Sequence, residues 1–176
     1  MSASGGAEHS SATGDAREVL GAYFAELEAG RFDAALRHYA SDGIGTLHGQ
    51  FGPGRREEVA NNAAEMLRAF PDLRFEVLDL IAEGETAASR WRISGTFTGP
   101  GKFMGFRPTG AAFELEGLDI AEVADGKIKR IDGYADAMTV ARQLGLMPQT
   151  GSLGGRVMTA VLNARPVVAN RLRRSR

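Results

Sequence analysis

The sequence predicts an α+β domain in which helices cover one face of a largely antiparallel sheet. Three observations lead there. Apolar residues recur at helical spacing through the first part of the chain. From Leu73 to Asp136 they alternate with polar residues, or are rich in strand formers, in four successive runs. The runs are punctuated by turns such as "EGE" and "ADG", which suit neighbouring antiparallel strands.

The elements follow in order. In "DAREVLGAYFAELEAG", Val19, Leu20, Tyr23, Phe24 and Leu27 form one helical stripe. Asp15 and Glu18 have the spacing of a capping box and Gly30 is a good stop. A second short helix, "RFDAALRHYA", carries Phe32, Ala35, Leu36 and Tyr39 on one side. A third, Arg55 to Phe70, carries Val59, Ala63, Met66 and Phe70, and Pro71 ends it because proline disfavours helical backbone just before it. The strands are "LRFEVLDLIA", "TAASRWRISGTFTG", "AAFELEGLDIAEV" and "KIKRIDGYAD", with the glycine- and proline-bearing loop "GPGKFMGFRPTG" after the second. A last short helix, "AMTVARQLGL", closes a body spanning residues 15–148. Residues 1–14 read as a disordered leader, without the basic start and apolar run of a signal peptide. Residues 149–176 read as a cationic extension. Within it Val157, Met158, Val161 and Leu162 are spaced for a short amphipathic helix that Pro166 would end or kink.

Composition narrows the function. With 176 residues, 43% of them hydrophobic, the chain can bury one substantial core. It has no cysteine, which excludes thiolate chemistry and a disulfide framework and suits a reducing, cytoplasmic setting. No stretch reaches the roughly 18 apolar residues of a membrane span. The net charge of −1 conceals a division: from Gln149 onward there are six arginines and no acidic residue, so the rest of the chain carries 15 basic groups against 22 acidic ones. An acidic body argues against nucleic-acid binding. The cationic tail could touch an anionic membrane surface or a partner's acidic body, although a solvated extension is the plainer reading. There is no nucleophile elbow or phosphate loop. His9 lies in the leader and His38 off the apolar stripe of its helix, and His48 alone has no partner at metal-ligand spacing, so no metal is expected.

What remains is a carboxyl group in an apolar setting. In the run beginning at Phe113, Phe113, Leu115, Gly117, Ala121 and Val123 share one face, and Asp119 shares it with them. A carboxyl group stripped of water holds its proton more tightly and can work as an acid or base near neutrality. Tyr23, on the apolar stripe of the first helix, could place its hydroxyl in the same hollow. Trp91 and Phe97 share one parity of the second long strand, and Met104 and Phe106 lie in the loop after it, so these four could wall an apolar pocket. Plainer readings stand beside each: Asp119 as a structural acid paired with Arg90 or Arg92, Tyr23 and Trp91 as core, His48 as a polar loop residue. Asp132 and Tyr134 could face solvent or rim the mouth of a cavity.

The segments "FPDLRFEV", "SRWRISGTFTG", "MGFRPTG", "GLDIAEVADGKI" and "YADAMTVARQLGLMP", in that order, resemble the SnoaL-like polyketide cyclases of the nuclear transport factor 2-like superfamily. The resemblance spans roughly Asp15 to Pro148. It implies a curved mixed sheet wrapped around N-terminal helices, a conical apolar cavity, cofactor-free acid–base chemistry and a homodimer. It also implies a hydrophobic, carbonyl-bearing small molecule, polyketide- or steroid-like, that is cyclised or isomerised through an enol. Tyr23 and Asp119 match the oxyanion-hole pair of the ketosteroid isomerases in that superfamily. The cyclase acid falls on Gly133, which has no side chain. His48 or Asp132 would then have to move the proton, with Phe70, Leu47 and Tyr134 added to the pocket wall. A non-catalytic small-molecule binder of the same fold is the alternative.

Overall fold

The structure, a computed structural model, describes residues 15–149 and 151–174, with side chains through residue 163. The leader proposed for residues 1–14 lies outside the described residues. The N-terminal helix α1 (Ala16–Glu28) is capped by Asp15, whose carboxylate accepts from the Arg17 amide at 3.0 Å. Its buried stripe is Val19, Leu20, Tyr23, Phe24 and Leu27. Helix α2 (Phe32–Ala35) and a 3₁₀ turn (Leu36–His38) lead into strand β1 (Tyr39–His48). Tyr39, expected on a helical stripe, therefore opens a strand instead. Strand β2 (Phe51–Arg55) and helix α3 (Arg56–Ala69) come next, with Glu58 accepting from the Arg55 amide at 2.7 Å to hold the first turn.

The four expected strands then appear in sequence: β3 (Arg74–Glu83), β4 (Thr86–Thr96), β5 (Ala112–Ala124) and β6 (Lys127–Ala135). Asp125 and Gly126, both at positive φ (54° and 67°), make the tight turn from β5 to β6. Helix α4 (Ala137–Gln143) is capped by Asp136, and helix α5 (Leu153–Arg174) follows. Helix α5 runs on through Pro166, which was expected to end or kink it.

The sheet is curved and open, in the order β2-β1-β6-β5-β4-β3. Only β1 and β6 run parallel; the other neighbours are antiparallel. Strand β5 alternates exposed and buried residues along its length, as its sequence demands. The inner face meets α1 and α3, and α2 packs on both of those helices. A second knot of the core, where Phe70, Phe97, Phe103 and Phe113 pack with ring centroids 4.8–6.3 Å apart, closes the end near the 97–111 loop. No helix among the described residues is long and apolar enough to cross a membrane.

Candidate active site

Between the inner sheet face and the three N-terminal helices lies a cavity of about 330 Å³. Its walls are apolar: Leu27, Phe32, Leu47, Val59, Met66, Phe75 and Ile93, with Phe103 and Met104 from the loop after β4. Gln50, Asn62, Glu65 and Lys102 supply its polar lining. A further hollow of about 150 Å³ shares much of this wall and contains Tyr23, Tyr39, Trp91, Leu115, Asp119 and Gly133. Few polar groups in a mostly apolar recess is the usual constitution of a small-molecule site.

Asp119 reaches this hollow because β5 alternates. It is 9% exposed, and burial pushes its carboxyl up from 3.8 to about 7. The Trp91 indole pulls the other way, favouring the carboxylate. Trp91 Nε1 nevertheless lacks a partner in good hydrogen-bond geometry. The contact is thus an electrostatic bias toward Asp119 rather than a formed bond. The two arginines that could have neutralised Asp119 point outward: Arg90 pairs with Asp79 at 2.8 Å and Arg92 with Glu116 at 2.7 Å. The ion-pair reading of Asp119 is thereby overturned.

Two glycines make room for these groups. Gly133 is the cross-strand partner of Asp119, and a Cβ there would sit 2.8 Å from Asp119 Oδ1 and 2.9 Å from Leu47 Cδ1. Gly117 is the partner of Trp91, and a Cβ there would overlap the indole ring. Gly133 therefore supplies the space that the Asp119 carboxyl uses.

Tyr23 and Tyr39 bring two hydroxyls to the same hollow, their rings 5.8 Å apart and edge-on. Burial raises both above the ordinary tyrosine range. The charge of Asp119 adds to the effect on Tyr23, while a Tyr39 hydroxyl donating to it opposes the shift. Both are therefore neutral donors near neutral pH. Tyr39 was missed from sequence because its spacing continues the preceding helical stripe. Ile93 and Phe75 share parity with Trp91 or its cross-strand neighbours and could have been read from alternation alone.

The other candidates divide. Leu47 and Trp91 line the cavity, and Met104 lies at its outer part, 52% exposed. Phe70 and Phe97 do not line it; both are fully buried in the aromatic knot beyond. Phe106 is 47% exposed and is not part of the cavity wall; a backbone bridge joins it to Phe103. His48, Asp132 and Tyr134 lie on the opposite face of the sheet. There His48 Nε2 is 3.3 Å from Asp132 Oδ1, and its ring stacks on Tyr134 with centroids 4.4 Å apart. Arg130 grips Asp132 and holds its carboxyl below the usual range. Strand alternation explains the separation: with Gly133 facing in, Asp132 and Tyr134 must face out. Among the described residues no cluster of three or more His, Asp or Glu is arranged to hold a metal ion.

An open, curved sheet folded over helices, with an apolar hollow and one displaced-pKa carboxyl in it, defines a small-molecule cavity protein with acid–base capacity. A family model for SnoaL-like polyketide cyclase matches residues 17–144, and the chain belongs to that family. Solved structures agree in fold. AclR from Streptomyces galilaeus, put forward as a hydroxylase, is 22% identical with a TM-score of 0.66, over 76% of this chain and 97% of its own. IdmH from Streptomyces antibioticus, put forward as a polyketide cyclase, is 26% identical with a TM-score of 0.62, over 74% and 98%. A protein from Jannaschia sp. CCS1, put forward as a SnoaL-like polyketide cyclase, is 20% identical with a TM-score of 0.68, over 81% and 100%. No curated relative matches the chain. Membership in a cyclase family supports an enzymatic role.

Proposed function

We propose that the protein catalyses a cofactor-independent, enol-mediated rearrangement, a cyclisation or a double-bond isomerisation, of a hydrophobic carbonyl-bearing molecule in the polyketide or steroid size range. The observation that carries this reading is the Asp119 carboxyl, buried in an apolar hollow with its pKa near neutrality. A base is most useful when its pKa lies near the working pH. As carboxylate, Asp119 removes a proton from the carbon next to the carbonyl. The neutral Tyr23 hydroxyl donates to the oxygen as negative charge develops there, and Tyr39 donates to Tyr23. As carboxylic acid, Asp119 returns the proton at a different carbon or to the oxygen. His48 and Asp132, on the far face, take no part. Trp91, Leu47, Ile93 and Met66 hold the apolar body of the substrate.

The first step can be tested without knowing the natural substrate. Polycyclic ketones incubated with the protein in D₂O should gain deuterium next to the carbonyl, measured by mass spectrometry. Asp119→Asn should abolish the gain and Asp132→Asn should leave it intact. Ketones that bind, by thermal shift, yet return undeuterated would support the binding-protein alternative, which the missing acid at Gly133 motivates.

A further inference from the structure

The hollow that holds Asp119 and the cavity beyond it end on different residues. Asp119, Trp91 and Gly133 line only the inner hollow, whereas Lys102, Phe103 and Met104 line only the outer cavity. Tyr23, Leu27, Leu47, Val59 and Met66 line both, so the two spaces run into one another. The end remote from Asp119 is walled by a strap, residues 97–111, that joins β4 to β5 and is tied down along its length. At its base the Phe97 amide donates to the Ala111 carbonyl and the Gly110 amide to the Phe97 carbonyl, both at 2.9 Å. Further along, the Gly99 and Gly101 amides donate to the Ala69 and Arg68 carbonyls at the end of α3, at 3.0 and 3.1 Å. These approaches leave no room for side chains. A Cβ on Gly99 would run into the Arg68 carbonyl, and one on Gly101 would sit 2.8 Å from the Ala69 amide nitrogen. At the tip, Phe103 and Phe106 exchange backbone hydrogen bonds of 3.2 and 2.9 Å around Met104 and Gly105, both at positive φ (51° and 83°). Two central residues at positive φ make a type I′ turn, where glycine or asparagine is the usual occupant. A methionine carries a steric cost there.

We propose that Met104 is the specificity-determining residue of this cavity: held by a rigid strap, its side chain fixes how far an apolar ketone can extend from a carbonyl seated at Asp119. The inference rests on the reading of the cavity as a ketone site. Phe103, beside Met104 on the wall, cannot serve as the gauge. It is 8% exposed and locked against Phe70 and Phe97, with ring centroids 5.1 and 6.3 Å apart. Met104 is half exposed, and its unbranched thioether is free to lie along a ligand. Gly105 has no side chain, and Phe106 is outside the wall. The tip of the strap thus offers the cavity a single adjustable apolar group. A side chain kept on a backbone conformation that costs stability points to function rather than folding.

The test uses fused-ring ketones of two, three and four rings, with binding read by thermal shift and α-deuteration in D₂O by mass spectrometry. Met104→Ala and Met104→Gly should each raise affinity for the longest ketone over the shortest by about tenfold. Met104→Trp should move the preference the other way. Phe106→Ala, off the wall, should leave the order of preference as it is. Both trimmed variants shed the same side chain, but only glycine relieves the backbone, so Met104→Gly should melt a few degrees above Met104→Ala. Circular dichroism checks that each variant is folded, which the half-exposed position makes the expected result. A size preference unchanged in all three Met104 variants overturns the proposal, as does a loss of affinity uniform across the series. A Met104→Gly chain that melts below Met104→Ala overturns the rigid tip on which it depends. The two readouts separate this inference from the proposed reaction. A preference that shifts with no deuterium gained keeps Met104 as the gauge and removes the reaction. Deuterium gained with an unshifted preference does the opposite, and failure of every ketone to bind overturns both.

Discussion

Asp119 is held in its hollow at a cost to stability that depends on pH. Its folded pKa of about 7 lies above the ordinary 3.8, so between those values the folded chain keeps a proton that the unfolded chain has released. The contribution of this group to stability therefore falls as pH rises from about 4 to about 7 and is flat above. The full difference is on the order of 4 kcal/mol. Asparagine mimics the protonated acid, so Asp119→Asn should melt close to the unmodified protein at pH 4.5. At pH 8 it should melt higher, by roughly 10 °C. Equal melting differences at the two pH values would mean that Asp119 is not buried as described. The same titration predicts that α-deuteration rises with pH through about 7 and then levels off. Gly133→Ala makes a complementary test. Its Cβ would meet Asp119 Oδ1 and Leu47 Cδ1 under 3 Å. Overpacking of this kind costs about 1–3 kcal/mol, and moving the carboxyl should depress exchange well beyond that loss of folded protein. Asp119 was legible in the sequence because a single charge interrupts five same-face apolar or glycine positions. The role of Gly133 was not legible: a missing side chain says nothing about which neighbour uses the space until strand register is known. Tyr39 was hidden because helical spacing alone does not show where a helix gives way to a strand.

At the level of elements, the same register that delivers Asp119 separates the cavity from the aromatic knot behind it. Phe97 and Phe70 look like pocket wall in sequence, being large, aromatic and of the right parity, but the bend after Thr96 carries Phe97 past the end of the cavity. Phe97→Ala should leave a hole in a fully buried cluster and cost about 3–5 kcal/mol by chemical denaturation. Exchange activity per folded molecule should be unchanged, and a specific loss of exchange would return Phe97 to the site. Leu47→Ala, within the cavity, should behave oppositely and weaken ketone binding more than it weakens the fold. The strands β3 to β6 were plain in sequence because each alternates or is rich in strand formers. Strands β1 and β2 were not. "YASDGIGTLH" contains two glycines and an aspartate, and its strand character comes from pairing with β6 and β2 across a register shift. In β2, Pro53 is tolerated because β2 is an edge strand with only β1 beside it.

Across the whole molecule, the decisive feature is the division of charge, an acidic body of net −7 joined to a tail with six arginines. The described side chains of α5, through residue 163, leave Leu153, Val157, Val161 and Leu162 exposed, and the described residues of the helix pack little on the other elements. The core of residues 15–148 therefore takes little stability from the tail. A chain ended after Pro148 should melt within about 2 °C of the full chain and show the same α-deuteration per folded molecule. Its charge should fall to −7, because all six tail arginines go with the extension. A loss of about 5 °C or more on truncation, measured by calorimetry, would mean that the tail rests on the body and shares its core.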